Sequence, residues 1–376
     1  MAPPVRHAYV HVPFCARRCS YCDFAIAVRR EVPVAAYVEA LGRELALRSG
    51  ELGGGALDTL YLGGGTPSRL GADGLAATLH AMGEHVSLRA GAEVTIEANP
   101  DDVSADAGAA WRAAGVNRVS LGAQSFDDAA LGWMHRPHDA AAIGAAVRAL
   151  RAAGIENISL DLIFALPDSL GRDWSRDLDA ALALEPEHIS LYGLTVEPHT
   201  PLGRWTARGT VAEAPEERYE REFLLAHERL SAAGLEHYEV SNFARPGFRS
   251  RHNGSYWRRV PYAGFGPSAH SFDGQRRRWN VGAYAAWAAA LGTGRDALEG
   301  EEVLTEENQA AERVYLGLRT TDGLELTPAE LARTESWRRA GWAWLEGSRL
   351  RLTPLGWLRL DALAADLTVV GSRYYI

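Results

Sequence analysis

The sequence predicts an α/β chain: a partial (β/α) TIM-like barrel followed by a small mixed, winged-helix-like C-terminal domain. Three observations carry this. Short runs rich in Val, Ile and Leu alternate with Ala-rich helical stretches, the pattern of βαβ units and a parallel sheet. One helix-to-strand corner recurs, as Ala113-Ala114-Gly115-Val116, Ala152-Ala153-Gly154-Ile155 and Ala232-Ala233-Gly234-Leu235. In each, glycine supplies the left-handed residue that ends a helix, and the next apolar residue starts a strand. Finally, the alternation stops near Ser241.

In chain order, the predicted strands are Tyr9–Val12, Thr59–Leu62, Glu93–Glu97, Arg118–Leu121, Ile158–Leu162 and His188–Leu191. The helices between them are Ala35–Arg48, Leu75–Met82, Ala105–Ala114, Ala140–Ala153 and Asp173–Ala183. Residues 1–240 are read as the barrel core, whose chemistry belongs at the carboxyl ends of the strands. Residues 241–280, rich in Gly, Pro, Arg and aromatics with Asp273 the one acidic residue, read as a long functional loop or bridge. Residues 281–376 read as the small domain. It holds helices Ala283–Leu291, Glu306–Leu316 and Leu355–Leu367, with a hairpin from Gly341 to Thr353 before the last.

The chain has 376 residues, 47% hydrophobic and 23% charged, which is ordinary for a soluble protein with a sizeable core. A formal net charge of −9 argues against a chain built to coat nucleic acid or an anionic membrane. No secretory leader and no membrane-length apolar run is legible, so the expected location is cytoplasmic, with peripheral membrane contact only through partners.

The three Cys, Cys15, Cys19 and Cys22, lie within eight residues. An odd number so tightly spaced points to metal or redox chemistry rather than a disulfide framework. Thiolates are soft ligands suited to iron–sulfur clusters, and three of them leave one iron of a cubane open. A zinc site completed by His11 or Asp23 is the alternative.

C-x3-C-x2-C with Tyr21 before the third Cys resembles the motif of the radical-SAM superfamily. The later motifs match that superfamily in order, beginning with Gly63-Gly64-Gly65-Thr66-Pro67 after a strand. The resemblance implies a [4Fe–4S] cluster on Cys15, Cys19 and Cys22, and S-adenosylmethionine on its open iron. It implies that Gly64, Gly65 and Thr66 meet the methionine amino group. It also gives S-adenosylmethionine contacts to Glu97, Gln124, Arg136 and Asp161, and further ones to Tyr9, Tyr21 and Thr195.

Ser120-Leu121-Gly122-Ala123-Gln124-Ser125-Phe126 and Asp161-Leu162-Ile163-Phe164-Ala165-Leu166-Pro167 are similar to the oxygen-independent coproporphyrinogen III oxidase family, and the likeness runs from Tyr9 through the last helix. Two features separate the chain from the oxidase. No long arm precedes Cys15, and Phe24 stands where the oxidase has a fourth Cys. The pattern resembles the heme-chaperone branch, which carries His252-Asn253-Gly254-Ser255-Tyr256-Trp257. That branch implies heme contact at His252, Tyr256 and Trp257, delivery to hemoproteins including membrane-bound respiratory enzymes, no nucleic acid, and room for a homodimer. Imidazole is a common axial ligand of heme iron. Arg245, Arg249, Arg251, Arg258, Arg259, Arg276, Arg277 and Arg278 form a basic stretch suited to heme propionates, with RNA as the other reading. A hydrogen-bonded loop histidine is the plain alternative for His252, and His270 reads as structural or as part of a second site. The rival activities are oxidative decarboxylation of coproporphyrinogen III and modification of a macromolecule.

Overall fold

Polar and apolar residues alternate along the first strands, and the strand period of two sorts them onto opposite faces. The computed structural model describes residues 5–368; residues 1–4 of the predicted barrel core and 369–376 of the predicted small domain lie outside the described residues. The barrel strands are β1 (His7–Val12), β2 (Leu57–Gly64), β3 (Leu88–Ala98), β4 (Arg118–Gln124), β5 (Asn157–Phe164) and β6 (His188–Gly193). Each spans its predicted strand and extends beyond it at one or both ends. Their neighbours are helices α1 (Val34–Arg48), α2 (Gly71–Gly83), α3 (Ala105–Ala113), α4 (Ala140–Ala152), α5 (Trp174–Leu182) and α6 (Glu216–Ala232).

These strands run parallel in sequence order. Three more strands complete the sheet: β7 (Glu236–Glu239), β8 (Asn242–Ala244) and β9 (Ala263–Phe265). The order is β9-β1-β2-β3-β4-β5-β6-β8-β7, with β9 parallel to β1 and with β8 antiparallel to β6 and β7. Edge strands β9 and β7 are not paired with each other among the described residues, so the barrel is partial.

Val10, Leu60, Leu62, Val94, Ile96, Val119, Leu121, Leu160 and Ile189 are buried in the apolar core cluster. The alternate residues are polar: His7, Tyr9 and His11 on β1, Thr59 and Tyr61 on β2, Glu93, Thr95 and Glu97 on β3. Ser120 and Gln124 follow on β4, Ser159 and Asp161 on β5, His188 and Ser190 on β6. Register places Tyr9 beside Tyr61, Glu97 beside Ser120, Ser120 beside Ser159, and Asp161 beside Ser190. The three predicted corners hold: Gly115, Gly154 and Gly234 have φ of 101°, 79° and 83°.

The segment 241–280 carries more structure than a bridge. It contains β8, β9 and helix α7 (Arg251–Trp257), then β10 (His270–Phe272) and β11 (Arg276–Asn280). β10, β11 and β12 (Leu298–Val303) make a three-stranded antiparallel sheet, with α8 (Tyr284–Gly292) between the last two. Next come α9 (Glu306–Arg319), β13 (Leu324–Glu325), α10 (Pro328–Arg333), α11 (Glu335–Arg339), and the hairpin β14 (Ala343–Glu346) with β15 (Arg349–Leu352). The second small sheet has order β13-β15-β14, a helix–strand–helix–helix–hairpin arrangement of winged-helix type. The predicted last helix divides into a short turn at Pro354–Trp357 and α12 (Leu360–Leu367).

Candidate functional site

The three thiols lie on one hook that leaves β1 and returns to it. Phe14–Cys15 pairs in parallel with Ala27–Val28, so residues 16–26 form a closed loop. The amide of Cys22 donates to the carbonyl of Cys19 (3.4 Å), and Arg18 Nη1 donates to the carbonyl of Cys22 (3.1 Å). All three cysteines are free and half-buried. Burial pushes the Cys15 thiol up and the Cys22 thiol up to about 11.

Two groups reach the sulfurs from elsewhere. Thr66 Oγ1 lies 3.5 Å from Cys15 Sγ, and Arg136 Nη1 lies 3.4 Å from Cys19 Sγ. The guanidinium also donates to Asn99 Oδ1 (2.5 Å) and the Gly122 carbonyl (2.9 Å), while its Nε is buried with no partner among the described residues. Tyr21 sits beside Arg136, and burial raises its phenol.

The donor set fits a cluster better than a lone zinc. Three soft thiols share one loop, with the Arg136 guanidinium beside Cys19. His11 has both ring nitrogens engaged, Nδ1 with Tyr9 Oη (3.1 Å) and Nε2 with the Ala25 carbonyl (3.0 Å). Burial lowers its pKa to about 4. Asp23 is exposed. Among the described residues, no three Cys, His, Asp or Glu side chains converge on one ion position.

Behind the hook, the glycine run is dictated by close packing. A Cβ on Gly65 would meet the Pro13 carbonyl at 2.6 Å, and one on Gly64, whose φ is 111°, would meet the His11 ring at 2.5 Å. The run's amides are partly spent inside the protein. Gly64 N donates to Glu97 Oε2 (3.0 Å) and Gly65 N to the Val12 carbonyl (2.8 Å).

Glu97 also accepts from Tyr61 Oη (2.8 Å), and Tyr61 stacks on Tyr9 with centroids 6.1 Å apart. Gln124 ends β4 at φ 67°, an uncommon conformation for a non-glycine residue and one concentrated at functional sites. A Cβ on Gly122 would meet Gln124 Nε2 at 2.9 Å and Arg136 Nη2 at 3.1 Å, so these side chains converge there. Asp161 accepts from Ser120 Oγ (3.0 Å to each oxygen) and Ser159 Oγ (3.3 Å), and burial raises its carboxyl. Thr195 lies apart from these on the loop after β6, exposed, donating to the Gly193 carbonyl (3.3 Å). Sequence reasoning missed Tyr61, Asn99, Ser120 and Ser159 as site residues. Their signal was the polar alternation within the strands.

Burial raises the Glu97 carboxyl to about 7. The native state therefore binds a proton that the unfolded chain has released between roughly pH 4.5 and 7, so stability falls as pH rises through that window. Partial exposure toward the strand ends screens the charge, which limits the effect to about 2 kcal/mol. Urea unfolding of the cluster-free protein at pH 5 and pH 8 reads this loss as a difference from Glu97→Gln, because the buried His11 and His252, with lowered pKa values, add stability with rising pH in both proteins alike. Glu97→Gln should lose less stability between the two pH values than wild type, Asp161 keeping its own share, and an identical loss in both proteins would count against a raised Glu97 carboxyl.

The His252–Trp257 motif forms α7, which sits against the other end of the strands. His252 is 1% exposed. Its Nδ1 pairs with Thr59 Oγ1 (2.7 Å), its Nε2 with Tyr256 Oη (2.8 Å), and its ring stacks on Tyr61 at 5.0 Å. The backbone amides of Arg251 and His252 donate to the Glu93 carboxylate (3.0 and 2.9 Å). Burial drops the imidazole pKa to about 3. As placed, His252 has no free nitrogen for heme iron; ligation there would require Thr59 or Tyr256 to let go. Trp257 lies under the Arg319 guanidinium (4.3 Å), with its Nε1 buried and unpartnered among the described residues. His270 stacks on Trp279 (5.8 Å).

The basic stretch is largely neutralised. Arg249 pairs with Glu236, Arg259 with Glu312, Arg276 with Glu301, Arg277 with Glu302 and Glu312, and Arg278 with Glu51 and Asp296. Arg245 and Arg251 donate to the carbonyls of Pro186 and Gly91. Of the eight, Arg258 is the one exposed guanidinium with no ion pair or hydrogen bond among the described residues.

The chain is similar to known proteins over most of its length. The radical SAM superfamily model matches residues 9–180. A protein named heme chaperone HemW from Synechocystis sp. is 40% identical over 326 residues, 84% of this chain and 78% of that protein. A heme chaperone HemW from Mycobacterium tuberculosis is 38% identical over 365 residues, 96% and 94% of the two. The solved structure of Escherichia coli coproporphyrinogen III oxidase HemN, described as a radical SAM enzyme, superposes with a TM-score of 0.83. The match covers 97% of this chain and 90% of that one at 21% identity, which speaks to fold alone.

Proposed function

This chain belongs to the heme chaperone HemW family of radical SAM proteins, and from that premise we propose that it binds heme and passes it to hemoproteins. The observation that carries the reading is near-full-length identity to proteins of that name, 38% over 96% of the chain. Phe24 at the position of the oxidase's fourth Cys supports it against porphyrinogen oxidation.

Cys15, Cys19 and Cys22 would hold three corners of the cluster. When bound, the cluster supplies a redox-active iron with a position open to S-adenosylmethionine. Arg136, fixed by Asn99 and the Gly122 carbonyl, keeps a positive charge beside Cys19. Glu97, Gln124 and Asp161 offer acceptors for amino and hydroxyl groups, and the packed glycines keep side chains out of the space next to them. Tyr9, Tyr21, Thr66 and Thr195 are proposed as further contacts. Membrane-bound respiratory enzymes are among the inferred acceptors, and no helix among the described residues is long and apolar enough to cross a membrane. A homodimer is inferred from the same kinship and is read directly by sedimentation.

The test is anaerobic comparison on one preparation. Heme should bind with a defined Soret band and pass to an apo-hemoprotein, while coproporphyrinogen III plus S-adenosylmethionine and reductant yields no vinyl product. Multiple turnovers to protoporphyrinogen would replace the chaperone reading with the oxidase.

A further inference from the structure

We infer that heme docks on the outer surface of the cysteine hook, against Phe24 and Val28, with Arg17, Arg18, Arg29 and Arg30 supplying the cations for its propionates. The inference rests on the chaperone reading and says where the cargo sits. Heme is a flat apolar ring with two carboxylates on one edge, so its recognition needs an exposed apolar face with free cations beside it.

The hook has both. Phe24 is 63% exposed and Val28 44%, the only large hydrophobics among the described residues with such exposure that lie within nine residues of a thiol. All four arginines are exposed, and none makes an ion pair among the described residues. Arg18 and Arg29 only donate to nearby backbone carbonyls, those of Cys22 and Val28. The acids of the same stretch are Asp23 and Glu31, which leaves a local excess of positive charge on a chain whose net charge is −9. The stretch around α7 offers less. Five of its eight arginines are paired with carboxylates, and His252 is enclosed.

The hook is held by the parallel pairing of Phe14–Cys15 with Ala27–Val28, so Phe24 and Val28 are presented by the backbone that positions the thiols. Heme on this surface would lie over the cluster loop. Loss of the cluster would loosen the docking face, linking cluster content to heme affinity without requiring iron–iron contact.

The experiment is heme titration by Soret absorbance on Phe24→Ser, on Arg17→Gln/Arg18→Gln and on Arg29→Gln/Arg30→Gln, with iron content measured in each. Phe24→Ser is expected to weaken heme binding about tenfold, the scale of one well-packed aromatic contact. The arginine pairs should weaken it more at low salt than at high salt, because exposed charges are screened. If a variant loses iron, its comparison is made against Cys22→Ser, which also lacks the cluster but keeps Phe24 and the four arginines. Wild-type binding with equal affinity in all variants would overturn the inference and leave the chaperone reading standing. Unchanged heme affinity with impaired transfer would assign the surface to an acceptor protein, also overturning it. Failure of the wild type to bind heme at all would remove the chaperone reading itself.

Discussion

Ser in place of Cys15, Cys19 or Cys22 is expected to lower anaerobically reconstituted iron from about four per chain to near zero, as a cubane missing one protein corner cannot be held stably. A serine hydroxyl does not ionise near neutral pH and is a hard donor. The fold should survive, since the thiols' contacts with Thr66 and Arg136 are long, at 3.5 and 3.4 Å. Iron and sulfide analysis beside circular dichroism separates the two effects. Cys22, pushed up to about 11 by burial, carries its proton at neutral pH in the cluster-free protein. Assembly must displace that proton, so reconstitution should quicken and tighten as pH rises from about 7 to about 9. Stoichiometric zinc with no iron uptake would end the cluster assignment.

His252→Ala is expected to cost about 3 kcal/mol of stability, seen as a melting temperature lowered by about 5 °C or more. The ring fills a closed space and satisfies Thr59 Oγ1 and Tyr256 Oη. Removing it strands both hydroxyls, leaves a void, and takes the stacking partner from Tyr61. The amide bonds to Glu93 are backbone bonds and remain, so α7 should stay in place. His252→Gln should recover part of the loss by restoring one hydrogen bond. A shifted Soret band with no change in melting would instead mark His252 as a heme ligand that is released from Thr59 and Tyr256 on binding.

Much of the barrel is legible in the sequence because alternation and the recurrent glycine corner are local signals, and the cysteine triplet is local too. The placement of α7 is not. The segment from His252 to Trp257 reads as part of a functional loop, with heme contact or a hydrogen-bonded histidine as the alternatives, yet it forms a helix whose His252 is accepted by the polar inner face of this sheet. The arginines mislead for a similar reason. Their partners Glu51, Asp296, Glu301, Glu302 and Glu312 lie up to more than 200 residues away in sequence, where no window reading joins them. The glycine run reads as ligand-facing, but its tight approach to Pro13 and His11 emerges only once β1 and β2 are side by side.

Strand β1, from which the cysteine hook springs, lies between β2 and β9, and its Ala8 pairs with Ala263. The strand that leads into the hook is thus completed by one synthesised more than 250 residues later. Closing so long a span is slow, because chain entropy is lost before the contacts form. Until β9 is made, one edge of β1 has no partner, and an unpaired edge invites association with other chains. Iron and sulfide meeting the hook in that interval would find its thiols on a strand not yet locked. The yield of clustered protein should therefore depend on when iron arrives relative to chain completion, not only on how much is present.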